Sequence, residues 1–277
     1  DQFAFLERWL PTLAKDRLLV LAMHIHLFDE AGKDSFRDAD RERLFALLKA
    51  FPHVLVLTAH SHTQRHVFHD AATGWQGATP LHEYNVGTTC GAYWSGVADA
   101  HGIPDATMGD GTPNGHAVLT VKAGGEYALA WHNARDVDDR QIGLHAPKVL
   151  RRGAYPAWGV FANVYMGMDD TRVEFRVDGG EWMPMKKVLL PDPALVAENA
   201  RDDGSEVLRG FDRSPEAELS PHLWRGALPT ALDAGEHVVD DLAQCEATGR
   251  ICHRLDQCVE GREVATALAG HRADTLV

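Results

Sequence analysis

The sequence has few cysteines and few positive charges. Four cysteines in 277 residues are too few to hold a chain of this length together by disulfides. Lys and Arg total 27 against 40 Asp and Glu, a net charge of −13, and no segment gathers the basic stripe that binds phosphate backbones. With 45% hydrophobic residues, the chain has enough apolar side chains to fold. A disulfide scaffold, a disordered chain and a nucleic-acid scaffold are excluded.

Long hydrophobic runs are missing as well. The longest apolar stretches, such as residues 18–23, are much shorter than the roughly 20 residues that cross a bilayer. No charged and apolar leader is visible ahead of the first helical pattern. We therefore expect no membrane span.

Hydrophobic patterning predicts a β-α-β unit followed by antiparallel strands. Residues 17–23 and 53–59 are continuous apolar runs, typical of strands buried on both faces of a parallel sheet. Between them, residues 38–51 carry a helical apolar stripe, capped by Asp38 or Asp40. Residues 116–132 alternate on either side of an Ala-Gly-Gly turn, which predicts a hairpin.

The second half of the chain predicts an all-β sandwich. A charged stretch at residues 136–140 is expected to be a linker. Strand candidates follow at short, even spacing, and Asp178-Gly179-Gly180 is a hairpin turn between two of them. These candidates are residues 158–166, 171–177, 182–190 and a strand containing 236–239.

Histidines follow both predicted parallel strands. His24 and His26 end the first, and His60 and His62 end the second. Because strand side chains alternate, each pair is expected to project to one side, at the strand ends where open α/β sheets bind ligands. Clustered imidazoles without thiolates indicate a metal site with open coordination, suited to zinc, iron, manganese, copper or nickel.

These residues resemble the calcineurin-like metallophosphoesterases, in which a histidine follows one buried strand and a Gly-His-x-His follows the next. Met23-His24 and Ala59-His60-Ser61-His62 occupy these two places, with alanine for the usual glycine. Residues 81–87, 93–96 and 102–115 look like the bacterial subgroup with an extra C-terminal domain. The resemblance covers roughly residues 1–240.

The resemblance implies metal-dependent hydrolysis of a small phosphoester by a two-metal centre. His24, His60 and His62 would be metal ligands, whereas His26 stands where the family often has proline and is not counted. The implied cofactors are two divalent transition metals (Mn, Fe or Zn), and the implied location of the parent protein is periplasmic or secreted.

Half of the family's metal motifs are absent from the sequence. Asp-x-His, the Gly-Asp of the bridging carboxylate and Gly-Asn-His are not found ahead of His24, where the family has them, so no catalytic residue is assigned. We expect this chain to be the C-terminal part of a longer enzyme. Two alternatives stay open: an inactive module whose β-sandwich binds carbohydrate or protein, and a protein that binds a single metal ion through the three histidines.

Four further residues are candidates for substrate binding. Asn85 precedes a glycine-rich turn near the metal edge, and Trp94, Asp110 and Asn114 lie in nearby loops. An aromatic face beside a polar loop suits a sugar or a base. Turn chemistry accounts equally well for the two polar loop residues, and core packing for the tryptophan.

The expected fold class is therefore α/β, the C-terminal part of a four-layer metallophosphoesterase sandwich, followed by an all-β immunoglobulin-like sandwich. The predicted domains are residues 1–137 for the first and 138–245 for the second. Residues 246–277 show no clean alternation and are expected to form an irregular tail.

Overall fold

A computed structural model describes residues 2–29, 36–134, 140–206, 208 and 213–245, with the backbone of 251–253 and 259–268. Three α-helices are present in these ranges: α1 (Gln2–Trp9), α2 (Asp38–Leu48) and α3 (Pro193–Asp203). Short 3₁₀ turns span Leu10–Thr12, Ala71–Thr73 and Ala123–Gly125. Of the described helices, none is long and apolar enough to cross a membrane.

The first sheet contains four strands in the order β1-β2-β4-β3. They are β1 (Leu19–Ala22), β2 (Val54–Thr58), β3 (Arg65–His69) and β4 (Leu81–Asn85). β1, β2 and β4 are parallel, whereas β3 runs antiparallel to β4. The predicted β-α-β unit is confirmed, with α2 as its helix.

The structure corrects two details of this unit. β1 alternates between intermediate and exposed residues and is not buried on both faces, because it lies at the edge of the sheet with one neighbouring strand. The N-cap of α2 is Arg37, without a side-chain cap. Asp38 and Asp40 instead lie in the first helical turn, where negative charge is favourable near the helix N-terminus.

The predicted hairpin is confirmed as β5 (Gly115–Val121) paired antiparallel with β6 (Tyr127–Asn133). Its buried face packs against the first sheet through a cluster that includes Leu55, Tyr84 and Trp131. The cluster also contains Tyr165 and Met166, which lie beyond the predicted boundary at residue 137. Core packing is therefore continuous across that boundary.

Two further sheets share one hydrophobic core in the second half of the chain. Their strands are β7 (Ile142–His145), β8 (Val149–Arg151), β9 (Gly159–Val164), β10 (Thr171–Val177), β11 (Met183–Pro184), β12 (Lys186–Pro191), β13 (Leu219–Ala227) and β14 (Gly235–Cys245). Val160 of one sheet and Phe175 of the other belong to this core. The chain thus has mixed α/β content with several sheets, and the immunoglobulin-like assignment stays a prediction.

The strand predicted at residues 182–190 is divided between the two sheets. β11 pairs with β10 through the expected hairpin, and after the buried Met185 the chain continues as β12 beside β13. β13 itself was not predicted, because its Pro221 and Gly226 are residues that argue against a regular strand.

The C-terminal segment differs from the irregular tail that was expected. Two strands are described in it, β15 (Ile251–His253) and β16 (Val259–Leu268). β16 pairs antiparallel with β14 and parallel with β8. It lies along the edge of β14 that is opposite to β10. The rest of the tail and residues 136–139 of the linker predicted at 136–140 lie outside the described residues. The domain boundaries stay predictions.

Candidate metal centre

His24 and His60 meet at the carboxyl ends of the adjacent parallel strands β1 and β2. Nε2 of His24 and Nδ1 of His60 are 3.0 Å apart, and their ring centroids are 4.9 Å apart. Two nitrogens bound to one ion at about 2.1 Å stand roughly 3.0–3.4 Å from each other for right-angled to tetrahedral bond angles. The pair therefore fits joint coordination of one ion.

The loop after β2 does not continue the alternation of a strand. His60 and His62 have left-handed backbones, with φ of 75° and 54°, a conformation that costs non-glycine residues about 1–2 kcal/mol. The strand rule that placed both side chains on one side consequently does not apply here. Such strain persists where the surrounding structure enforces it, and it is concentrated at functional sites.

Asn85, at the end of β4, enforces the shape of this loop. Its buried amide donates to Ser61 Oγ at 2.6 Å and to the carbonyl oxygen of Thr63 at 2.8 Å. Both acceptors flank His62 in the sequence. Asn85, predicted to bind substrate, is fully buried, so its contacts make it a residue that positions the histidine loop.

His62 is oriented by a different loop. Its Nδ1 lies 2.7 Å from the carbonyl oxygen of Gly91, and its ring lies 4.6 Å from that of Tyr93. A metal-binding histidine commonly donates its second ring N–H to such an acceptor, which fixes the ring and leaves the other nitrogen for the metal. The bond to Gly91 gives His62 this arrangement.

His26 takes no part in the pairing, although the sequence pattern placed it beside His24. It is fully buried and stacks on Phe28 at 4.1 Å between ring centroids. Its Nδ1 bonds the carbonyl oxygen of Phe28 at 2.9 Å. Convergence of four imidazoles is therefore not what the structure shows, because the chain bends away from strand geometry after residue 22.

Glu83 holds the segments on both sides of the histidine pair. Oε1 of this fully buried carboxylate accepts bonds from the Leu27 amide and the Thr58 hydroxyl, both at 2.8 Å. Oε2 lies 2.6 Å from His69 Nε2. Arg41 of α2 adds a bond to the carbonyl oxygen of Leu27 at 3.0 Å. Sequence reasoning did not predict the roles of Glu83 and Arg41. The one signal in the sequence was an acidic residue, Glu83, within a buried strand.

Asp110, another predicted substrate residue, belongs to a buried network that reaches the second half of the chain. It accepts bonds from the amides of Gln64 at 2.6 Å and Thr112 at 2.9 Å. Its Oδ2 also lies 3.1 Å from His222 Nε2. Burial alone would raise the pKa of Asp110, but the bonds from His222, Gln64 and Thr112 hold it below its ordinary value.

The network continues through His222 to helix α3. Nδ1 of His222 lies 2.6 Å from Asn163 Oδ1. The amide nitrogen of Asn163 donates to Asp192 Oδ2 at 2.6 Å and to the carbonyl oxygen of Asp110 at 2.9 Å. Asp192 is the N-cap of α3. Both ring nitrogens of His222 thus lie within hydrogen-bonding distance of an oxygen acceptor.

The last two substrate candidates differ in exposure. Asn114 is buried and donates to the carbonyl oxygen of Thr89 at 2.7 Å, so it stabilises the turn before Gly91. Trp94 is 42% exposed and follows Tyr93, which is 75% exposed. Of the four candidates, Trp94 alone presents its side chain at the surface.

His24 and His60 are two donors that lie close enough together to bind one metal ion. Among the described residues, no group of three or more His, Cys, Asp or Glu is arranged to hold an ion. The chemistry of the donors, imidazole nitrogens at an exposed edge of the sheet, suits a divalent transition metal. The role of these histidines as metal ligands stays a prediction.

Comparison with known proteins finds one family. A sequence model described as the C terminal of calcineurin-like phosphoesterase matches residues 83–247, more than half of the chain. A search of curated proteins finds no match. Among solved structures, a chain entitled "AvmM Catalyzes Macrocyclization in Alchivemycin A Biosynthesis" aligns at 12% identity over 58% of this chain and 99% of that chain. Its TM-score of 0.19 carries no argument about fold or function.

Proposed function

This chain belongs to the calcineurin-like phosphoesterases, through the C-terminal part of that family, and on this premise we propose that it serves metal-dependent phosphoester hydrolysis with His24, His60 and His62 as ligands. The substrate would be a small phosphoester. The observation that carries the proposal is the 3.0 Å approach of two histidine nitrogens at the strand ends.

A divalent metal bound there would polarise a phosphoryl oxygen and lower the pKa of a bound water. The residues of this chain would act before any chemistry, by holding the imidazoles in place. Glu83 fixes the segment after His24 through the Leu27 amide. Asn85 fixes the loop around His62. Both side chains are buried and hydrogen-bonded, so the ligands would be preorganised.

A second function needs a test because only two donors, His24 and His60, meet at the strand ends, and no group of three or more is found in the part of the chain that is described. This pair fits a single ion. A protein that binds one metal ion without turnover is therefore the competing proposal. The two-metal centre requires ligands beyond these three histidines.

Elemental analysis of the 277-residue chain, with hydrolysis of an aryl phosphate in the same samples, separates the two. The test variant is His60→Ala/His62→Ala, and the matched control is His116→Ala, an exposed histidine on β5. We expect bound metal in the wild type and the control, and loss of metal in the double variant. Turnover that depends on the histidine pair supports the hydrolase.

Other outcomes are equally clear. One ion per chain without turnover supports the single-ion protein over a complete two-metal centre in this chain. Equal metal content in the wild type and the double variant would overturn both proposals, since neither His60 nor His62 would then be a ligand.

A further inference from the structure

Two aromatic side chains stand at the surface next to the candidate metal centre. Tyr93 is 75% exposed and Trp94 is 42% exposed. The ring of Tyr93 lies 4.6 Å from that of His62 at an interplanar angle of 35°. We call these two side chains the aromatic shelf. Its position is set by the same loop that orients His62.

The backbone of the shelf is strained in the same way as the histidine loop. Tyr93 and Trp94 have φ of 62° and 57°, so two bulky residues adopt the left-handed region in succession. Each costs about 1–2 kcal/mol relative to ordinary backbone. Packing of the Tyr93 ring into a core does not offset this cost, since Tyr93 is largely exposed. Strain of this kind is typical of binding sites.

The loop that carries the shelf is held rigidly at its base. Gly91 lies so close to the 106 backbone that a Cβ would stand 1.5 Å from the carbonyl oxygen of Ala106. Farther along, Gly96 donates to Asp105 and Asp105 donates to Val97, both at 3.0 Å. The exposed rings are thus presented on an ordered support and not on a freely moving tip.

The chemistry of the loop favours the organic part of a substrate over its phosphate. Residues 91–105 contain no Lys or Arg, so the loop offers no ammonium or guanidinium group to a phosphoryl group. Its exposed side chains besides the shelf include Val97 and Ile103. Aromatic faces bind planar aromatic groups by offset or edge-to-face stacking.

We propose that the aromatic shelf of Tyr93 and Trp94 binds the planar aromatic group of a phosphoester whose phosphate lies at His24, His60 and His62. The inference rests on the proposed function and names its substrate class: aryl or nucleoside phosphoesters. Tyr93 is a substrate-contacting residue in this assignment. Gly91 is a positioning residue, since its carbonyl oxygen orients His62.

The test compares two phosphoesters of equal carbon number, phenyl phosphate and cyclohexyl phosphate, by calorimetric titration of the metal-loaded chain. The wild type should bind phenyl phosphate about two- to tenfold more tightly, the range expected for one aromatic contact. Tyr93→Ala should reduce this ratio to about one, and Tyr93→Phe should preserve it. Inorganic phosphate should bind equally well to all variants, since no binding to the shelf is involved.

Two further variants separate stacking from structure. Tyr93→Gly removes the ring while it relieves the left-handed backbone, so a lost ratio there does not come from added backbone strain. Tyr155→Ala removes a tyrosine that is 96% exposed between β8 and β9 and should leave the ratio unchanged.

A wild-type ratio of about one, or equal weakening of both esters by Tyr93→Ala, would overturn the inference while inorganic phosphate still binds. If the metal-loaded chain binds neither ester nor inorganic phosphate, the proposed function itself fails and the inference with it. The two failures are thus distinguished by the inorganic phosphate titration.

Discussion

Two histidine sites of this chain differ in their burial and in their hydrogen-bond partners. His222 is buried, and its two nitrogens face Asp110 and Asn163. His24 and His60 are exposed, and the bond between them joins two like groups. A histidine that stabilises a fold has strong acceptors on both sides. A pair of histidines that face each other has a weak mutual bond, which a metal ion can replace.

The largest effect is expected from removal of a carboxylate in the buried network. Asp110→Ala leaves His222 and the Gln64 amide without their partner, and breaking such a buried pair costs about 3–5 kcal/mol. Urea denaturation of the variant measures this loss. Glu7→Ala, at an exposed ion pair with Arg43, serves as the control and should cost at most about 1 kcal/mol. Similar losses of unfolding free energy in both variants would mean that the buried network stabilises the fold no more than an exposed ion pair does.

At the exposed pair of His24 and His60, we expect a small effect on stability and a large effect on metal affinity. His24→Ala should change the free energy of unfolding of the metal-free chain by about 0.5 kcal/mol or less, as exposed substitutions usually do. It should weaken metal binding more than about 100-fold, because loss of an outer hydrogen-bond partner alone costs about 10–100-fold. Competition with a fluorescent chelator measures the affinity. A large loss of stability with unchanged affinity would reverse the comparison between the two sites.

A smaller effect on metal affinity is expected from the residue that shapes the histidine loop. Asn85→Ala should weaken metal binding about tenfold and lower stability by about 1–3 kcal/mol. The matched control is Asn199→Ala, whose buried amide likewise donates to a serine hydroxyl and a backbone carbonyl oxygen, those of Ser214 and Pro215. The control should lose stability without losing metal. Equal affinities in the two variants would contradict a positioning role for Asn85.

The smallest effect is expected at a pair of another kind, formed by His237 and the half-exposed carboxylate of Asp178. The hydrogen bond from His237 to Asp178 raises the pKa of His237 above 6.5 and lowers that of Asp178 below 3.8. The contribution of His237 is complete below pH 6.5 and is lost as the pH rises through its raised pKa. The contribution of Asp178 is present above pH 3.8 and is lost as the pH falls through its lowered pKa.

The stability that this pair contributes should therefore be greatest between about pH 4 and 6.5. The thermal midpoint of the wild type minus that of Asp178→Asn, measured from pH 3 to 9, should pass through a maximum in this window. High salt should reduce the difference, because Asp178 is half exposed and its charge is screened. A difference independent of pH would show that the charges contribute nothing.

The sequence predicted regular elements better than it predicted the loops that form the site. Apolar patterns correctly placed β1, β2, α2 and the β5–β6 hairpin, although β1 is less buried than its pattern predicted. It also placed histidines after two neighbouring parallel strands, and the structure brings His24 and His60 together. The roles of these residues as ligands stay a prediction.

What failed depended on backbone conformation and on long-range hydrogen bonds. Periodicity cannot report that His60 and His62 are left-handed, so the predicted convergence of four imidazoles did not follow. Glu83 and Asp110 acquire their roles from partners 56 and 112 residues away, which no local pattern encodes. β13 was missed for a related reason, since the tertiary packing of Trp224 overrides the presence of a proline.

The hydrogen-bonded network from Gln64 to Asp192 also limits which regions of this chain can be exchanged for unrelated ones. If the two-sheet region were exchanged for an unrelated one, Asp110 would lose His222 and would be left as a buried charge. A viable chimera would have to transfer Asp110, Asn163 and His222 as one inherited unit. Asp192, the N-cap of α3, is therefore linked by hydrogen bonds to Gln64, which follows the histidine loop. The two regions are expected to evolve as a single linked block.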